Sequence, residues 1–243
     1  MFHHVLLGEC VGSVMLILFG CGVVANVLLS GSKGENGGWM AVTTGWFIAV
    51  VVGVFVARSL GSANADINPA VTIAKLMIGT YSVYEACLII LFQLIGCFVG
   101  AVLVWLSYWP HWSKTQDPLR QRDVFCTAPA IRCYPANVFT EAMGTFVLVF
   151  AVGAIFGRAV MVHPESGLGP YLVGVIVWGI GLSLGGPTGY AINPARDLGP
   201  RLAHFFLPIK NKADSNWSYA WVPVLGPVIG GLLGGIAWKA FFL

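Results

Sequence analysis

The 243 residues are 57% hydrophobic and 9% charged, with a mean hydropathy of +0.81, which leaves too little charge to cover a water-soluble domain. The formal net charge of +3 comes without a basic cluster or aromatic interleaving, so no nucleic-acid partner is expected. What fits instead is a chain solvated by the lipid bilayer.

A helix needs roughly 20 apolar residues to cross about 30 Å of hydrocarbon. The first such run covers residues 6–29. It has no basic segment ahead of it and contains Glu9, so it reads as a crossing and not as a cleavable leader. A polar turn with Lys33 and Glu35 leads to a second crossing over 39–57. Residues 58–68 are too polar to cross, and the helix expected over 69–78 is too short to do so. The third crossing, 84–105, ends in Tyr108, Trp109 and Trp112, an aromatic cluster of the kind found at membrane interfaces.

Residues 110–137 form a polar connecting loop that divides the chain. Beyond it lie a fourth crossing (138–160), a turn with His163, Pro164, Glu165 and Gly167, and a fifth crossing (170–184). A second short helix is expected over 194–206 and a sixth crossing over 219–242. The predicted fold class is an all-α integral membrane protein, a single domain with six crossings and two re-entrant half-helices. The first repeat covers 1–109 and the second 138–243.

The halves resemble each other. Gly8-Glu9-Cys10-Val11-Gly12-Ser13 matches Thr140-Glu141-Ala142-Met143-Gly144-Thr145, and each half carries Asn-Pro-Ala, at Asn68-Pro69-Ala70 and Asn193-Pro194-Ala195. Three crossings per half invert the second copy, so the two half-helices enter from opposite faces and meet near the midplane. Proline loses no hydrogen bond at a first helical position, and the preceding Asn can cap the turn with its carbonyl. The two amide NH₂ groups are then expected to face a lumen. Together with two positive dipole ends they favour a neutral hydrogen-bonding solute and disfavour cations and protons.

Arg196 lies three residues beyond Asn193. A guanidinium at that depth needs a wet cavity and carbonyl acceptors, and is expected to donate to solute hydroxyls. Glu9 and Glu141, at matched positions, are expected to brace the non-helical segments by accepting their backbone N–H groups. Gly96, Gly100, Gly174, Gly179, Gly181, Gly226, Gly230, Gly231, Gly234 and Gly235 read as close-packing seams or as pore-widening positions. The six cysteines show no metal-ligand spacing. Cys126 and Cys133 fall in the connecting loop, either free or paired. With no nucleophile, acid-base pair or phosphate loop, an enzyme is not expected, and neither a metal nor another cofactor is implied.

Both Asn-Pro-Ala boxes, the six crossings and the two half-helices resemble the aquaporin superfamily along the whole chain. Asn193-Pro194-Ala195-Arg196-Asp197 resembles its glycerol-facilitator, or aquaglyceroporin, branch, in which Asp follows the Arg. The resemblance implies a selectivity filter of Gly181, Tyr190, Arg196 and a residue of the second crossing. That residue is taken as Trp46, which requires two extra residues between Gly53 and Asn68; an ungapped count gives Ile48. It further implies a homotetramer in the cell membrane with cytoplasmic termini, although the basic residues alone favour the opposite orientation.

The implied activity is a passive channel for glycerol, other small neutral solutes and water. Alternatives are a facilitator for dihydroxyacetone, urea, hydrogen peroxide or a protonated small acid, a water-selective channel, and an ion-coupled secondary transporter. Two positions depart from the branch pattern. Asp66 stands where a histidine is usual and either faces the lumen or caps a loop. Tyr190 stands where Phe is common and adds a phenol. Asp197 is the branch signature and a possible pore-mouth residue.

Overall fold

The computed structural model describes residues 2–157 and 168–243, all of whose regular elements are helices. In chain order these are α1 (Phe2–Leu28), α2 (Gly38–Ser59), α3 (Pro69–Met77), α4 (Val83–Ser107), α5 (Trp109–Lys114), α6 (Pro118–Asp123), α7 (Tyr134–Ile155), α8 (Leu168–Leu184), α9 (Pro194–Phe206) and α10 (Val222–Phe242). Helices α1, α2, α4, α7 and α10 are long and apolar enough to span a bilayer. The described part of α8 has 17 residues, or about 25 Å at 1.5 Å per residue. The predicted turn with His163, Pro164, Glu165 and Gly167, and the tail of the fourth crossing with Arg158, lie outside the described residues.

The connecting segment 110–137 is more structured than expected. It contains α5 and α6, and its last four residues already belong to α7. Pro135 occupies the first turn of α7, where its missing N–H costs nothing. Asn137 looks like loop in the sequence, but it is buried; its side chain accepts from Cys133 N–H at 2.9 Å and donates to Ile131 O at 3.2 Å.

The half-helices exchange partners between repeats. Helix α3 packs on α10 and α9 packs on α4, while α1 joins α2 and α4, and α7 joins α10. Most of the glycines mark these seams. A Cβ at Gly100 would stand 2.7 Å from Val14 O, one at Gly231 2.6 Å from Ala70 O, and one at Gly226 2.6 Å from the Glu141 Cβ. Gly179 differs, with open space around it, and Gly181 meets Tyr190 instead of a neighbouring helix. Close backbone approach therefore sets the distance at which the two half-helices are held across the midplane.

Candidate functional site

The two re-entrant turns share one construction. Asn68 is extended (φ −158°) and its Oδ1 accepts from Ala70 N–H at 2.9 Å, with Pro69 opening α3. Asn193 is likewise extended (φ −154°), and its Oδ1 accepts from Ala195 and Arg196 N–H at 3.1 Å each, with Pro194 opening α9. The amide groups depart from expectation, because they are not both free for the lumen. Asn68 Nδ2 donates to Ile192 O at 2.9 Å and Asn193 Nδ2 to Ile67 O at 2.8 Å. The carbonyl before each Asn has no helical partner, and the opposite amide supplies one. One amide hydrogen of each Asn ties the repeats together, and one is left over for the cavity that both line.

The residues three and one before each Asn are left-handed: Ala65 (φ +44°) and Ile67 (φ +42°) in one turn, Tyr190 (φ +37°) and Ile192 (φ +44°) in the other. Such backbone is costly for a β-branched residue and persists only where its surroundings enforce it. The buried glutamates do so. Glu9 accepts from Ser62 Oγ (2.6 Å), Asp66 N–H (2.9 Å), Ile67 N–H (2.8 Å) and Gln93 Nε2 (2.8 Å). Glu141 accepts from Ala191 N–H (2.9 Å) and Ile192 N–H (2.7 Å). With these N–H groups engaged, no protein donor among the described residues reaches the carbonyls of Ala65, Asp66, Tyr190 or Ala191, all of which border the cavity.

That cavity, of about 290 Å³, runs from Trp46, Tyr190 and Arg196 past both Asn residues to Arg58, Lys75 and Phe156. Trp46 is buried in its lining, its benzenoid ring filling the space that a side chain at Gly20 would take. Ile48 is exposed on the outer face. A Cβ on Gly181 would lie 2.8 Å from Tyr190 Cζ, so only glycine admits the phenol there. Carbonyls were expected to hold Arg196. Instead its guanidinium carbon stands 4.0 Å from the centroid of the Trp46 ring, and no acceptor for it occurs among the described residues. The indole face supplies a cation–π contact and leaves the guanidinium donors open to the cavity. Trp46 Nε1 and Tyr190 OH are also buried without a protein partner.

The two aspartates are both turned away from the lumen. Asp66 contributes backbone to the lining, but its carboxylate is fully buried, ion-paired to Lys75 and accepting from Thr72 Oγ1 and Tyr81 OH at 3.0 Å each. Asp197 is no pore-mouth residue. It is fully buried away from the cavity, pairing with Arg201 Nε at 2.8 Å and accepting from Thr127 N–H at 2.9 Å. Arg201, itself fully buried, donates onward to the carbonyls of Ser215, Asn216 and Thr127. Asp197 thus pins the connecting segment onto α9. Cys126 and Cys133 are both free; burial pushes the Cys126 thiol above the ordinary thiol range, while Cys133 is exposed.

Sequence reasoning missed Gln93, Lys75, Tyr81, Arg201 and Trp39. Only the i,i+4 spacing of Asp197 and Arg201 offered a local signal.

Two inverted half-helices whose Asn caps open on one passage between spanning helices, its wall mainly apolar with polar groups at Asn68, Asn193 and Arg196, define a multi-pass membrane channel. No His, Cys, Asp or Glu cluster suited to a metal occurs among the described residues. The family described as Major intrinsic protein matches residues 1–238, and the chain belongs to it. The chain is 53% identical over 224 residues to the probable glycerol uptake facilitator protein of Thermotoga maritima, covering 92% of this chain and 93% of that one. It is 47% identical to the glycerol uptake facilitator protein of Bacillus subtilis, over 97% of this chain and 84% of that one. The X-ray structure of the aquaglyceroporin from Plasmodium falciparum superposes with a TM-score of 0.87 at 26% identity, covering 99% of this chain and 97% of that one.

Proposed function

We propose that this protein is a passive channel for glycerol and other small neutral solutes, with accompanying water flow, and that Trp46, Gly181, Tyr190 and Arg196 form its selectivity filter. The observation that carries this reading is the set of unpartnered donors at one end of the cavity. Arg196 lines the passage there with no acceptor among the described residues, between Trp46 and Tyr190, which also line it and whose own N–H and O–H groups are buried without a protein partner. A polyol carries hydroxyls on one edge and carbon on the other. Arg196 takes the hydroxyls while the rings of Trp46 and Tyr190 take the carbon edge. Farther in, the free carbonyls of residues 65, 66, 190 and 191 accept hydroxyl hydrogens, and Asn68 and Asn193 donate to their oxygens.

Polar wall atoms replace the hydration shell, so a neutral solute crosses without a large desolvation cost and without bond making or breaking. A cation meets the positive ends of α3 and α9 together with Arg196, and is disfavoured. The glycerol uptake facilitators among the relatives support glycerol as the solute. The functional unit is proposed to be a homotetramer in the cell membrane with cytoplasmic termini, one passage per subunit.

Light scattering from proteoliposomes tests this directly. Non-saturating glycerol influx, faster than in empty vesicles and altered by Trp46→Ala and Tyr190→Ala, is the expected result. Rapid water flow without glycerol influx would overturn the solute assignment, and influx driven by a proton or sodium gradient would overturn the passive mechanism.

A further inference from the structure

We infer that Trp39, a residue outside the passage, is the positioning residue that sets the solute size limit of the filter, by fixing the Tyr190 ring and the Gly181 carbonyl. This rests on the filter reading above.

Trp39 sits in the first turn of α2 and is 42% exposed, a place where tryptophans commonly serve as interfacial anchors with their N–H turned to water or headgroups. This indole N–H is turned the other way. Trp39 Nε1 donates to Gly181 O at 3.0 Å, across 142 residues of sequence and from one repeat to the other. Gly181 lies in the last turn of α8, where carbonyls lack helical donors. The same indole meets the Tyr190 ring edge to face, with centroids 5.6 Å apart and an interplanar angle of 80°. Gly185 closes the group, since a Cβ there would stand 2.6 Å from Tyr190 Cδ1 and 2.9 Å from Trp39 Cζ2.

Tyr190 needs this support. Its backbone is left-handed (φ +37°), and its hydroxyl has no protein partner, so no hydrogen bond holds the end of the phenol. The ring is held by packing on Gly181, on Gly185 and on Trp39. Of these, Trp39 is the one large side chain, and it fixes the ring and the Gly181 carbonyl together. Trp39 itself does not line the cavity. It therefore acts on solutes only through Tyr190 and Gly181. Removing the indole frees the phenol to swing outward into the vacated space, which widens the passage opposite Arg196.

The test compares water, glycerol and xylitol permeability of proteoliposomes carrying wild type, Trp39→Ala, Trp39→Phe, Tyr190→Ala and the Trp39→Ala, Tyr190→Ala pair. Trp39→Ala is expected to raise xylitol influx relative to glycerol by roughly tenfold, the scale of losing one edge-to-face ring pair and one hydrogen bond together. Trp39→Phe, which keeps a ring but no N–H, should fall between wild type and Trp39→Ala. In the Tyr190→Ala background, Trp39→Ala should add little, because both changes release the same ring. Overturning results are a fall of all three permeabilities by one common factor, as from lost folded channel, or a Trp39 effect of full size when Tyr190 is already Ala. If Trp39→Ala does not fold, Trp39→Phe with a wild-type permeability ratio overturns the inference by itself. A shift in Tyr190→Ala without one in the Trp39 variants sinks this inference and leaves the filter reading standing, whereas an unchanged ratio in Tyr190→Ala sinks both.

Discussion

The two re-entrant turns share a backbone and an Ile-Asn-Pro-Ala core, and differ in the side chains that flank it. Both have extended Asn caps, proline at the first helical position, left-handed residues at the same offsets and a buried glutamate on the loop N–H groups. Aligning Asn68 with Asn193 sets Ala65 against Tyr190, Asp66 against Ala191, Val71 against Arg196 and Thr72 against Asp197. The backbone device makes the passage, and the side chains make it selective at one end only. Each turn also carries one buried carboxylate paired with one basic residue, but in different places. In the first turn the carboxylate is on the loop and its partner Lys75 on the helix; in the second both Asp197 and Arg201 are on the helix and reach out to the connecting segment.

That difference predicts unequal fragility. Arg201 has no exposed surface and Asp197 is its one carboxylate partner among the described residues. Asp197→Ala strands a buried cation, a loss of about 3–5 kcal/mol, and should lower the melting temperature in detergent by about 10 °C. A drop of less than a third of that would mean that water already reaches Arg201. Glu9→Ala and Glu141→Ala come next. Each leaves two buried backbone N–H groups unpaired, at about 1–3 kcal/mol per group. Glu9 also holds Ser62 and Gln93, so its loss should reduce folded yield more than that of Glu141. Equal yields, measured by size-exclusion chromatography of the solubilised protein, would contradict the ranking. A well-folded Glu141→Ala with ion-coupled uptake would contradict the bracing role itself.

The shared backbone was legible in the sequence and the differing side chains were not, and the reason is range. An Asn cap and a first-turn proline act over two or three residues, and repeating the motif in two apolar halves places both helices. The partners of Asp66 include Lys75 and Tyr81, on a helix and a loop whose positions depend on the fold. Nothing in Asn64-Ala65-Asp66-Ile67 distinguishes a lumen-facing carboxylate from one turned inward. Arg196 was expected to need carbonyls, yet the acceptor surface it found is the face of Trp46, 150 positions away. The tie from Trp39 to Gly181 joins the two repeats and leaves no trace in either one alone. Helix ends misled for a local reason, because Asn137 looks like loop and is a buried cap.

The selective end gives the next contrast. Arg196→Val makes the second turn resemble the first, which has Val71 at the matching position. It removes the fixed charge beside the passage, and proton leak into vesicles loaded with a pH-sensitive dye should rise by about tenfold, the equivalent of ~1.4 kcal/mol less barrier. Unchanged leak together with an unchanged ratio of glycerol to water would remove Arg196 from the filter.

Asp66→Asn is expected to do least, although it too breaks an ion pair. The stranded Lys75 differs from Arg201 in bordering the cavity, with 10% of its side chain exposed, and it keeps Asn64 O as an acceptor at 3.3 Å. An asparagine still accepts from Tyr81 or Thr72. Water in the passage can therefore solvate the ammonium, and the loss should stay near 1 kcal/mol, a shift of about 2–4 °C. Glycerol influx should hold within about twofold, because a positive group at that depth adds to a barrier that neutral solutes do not feel. If Asp66→Asn proved as damaging as Asp197→Ala, the cavity beside Lys75 would have to be dry. The route drawn from Arg196 to Arg58 would then be closed at that end.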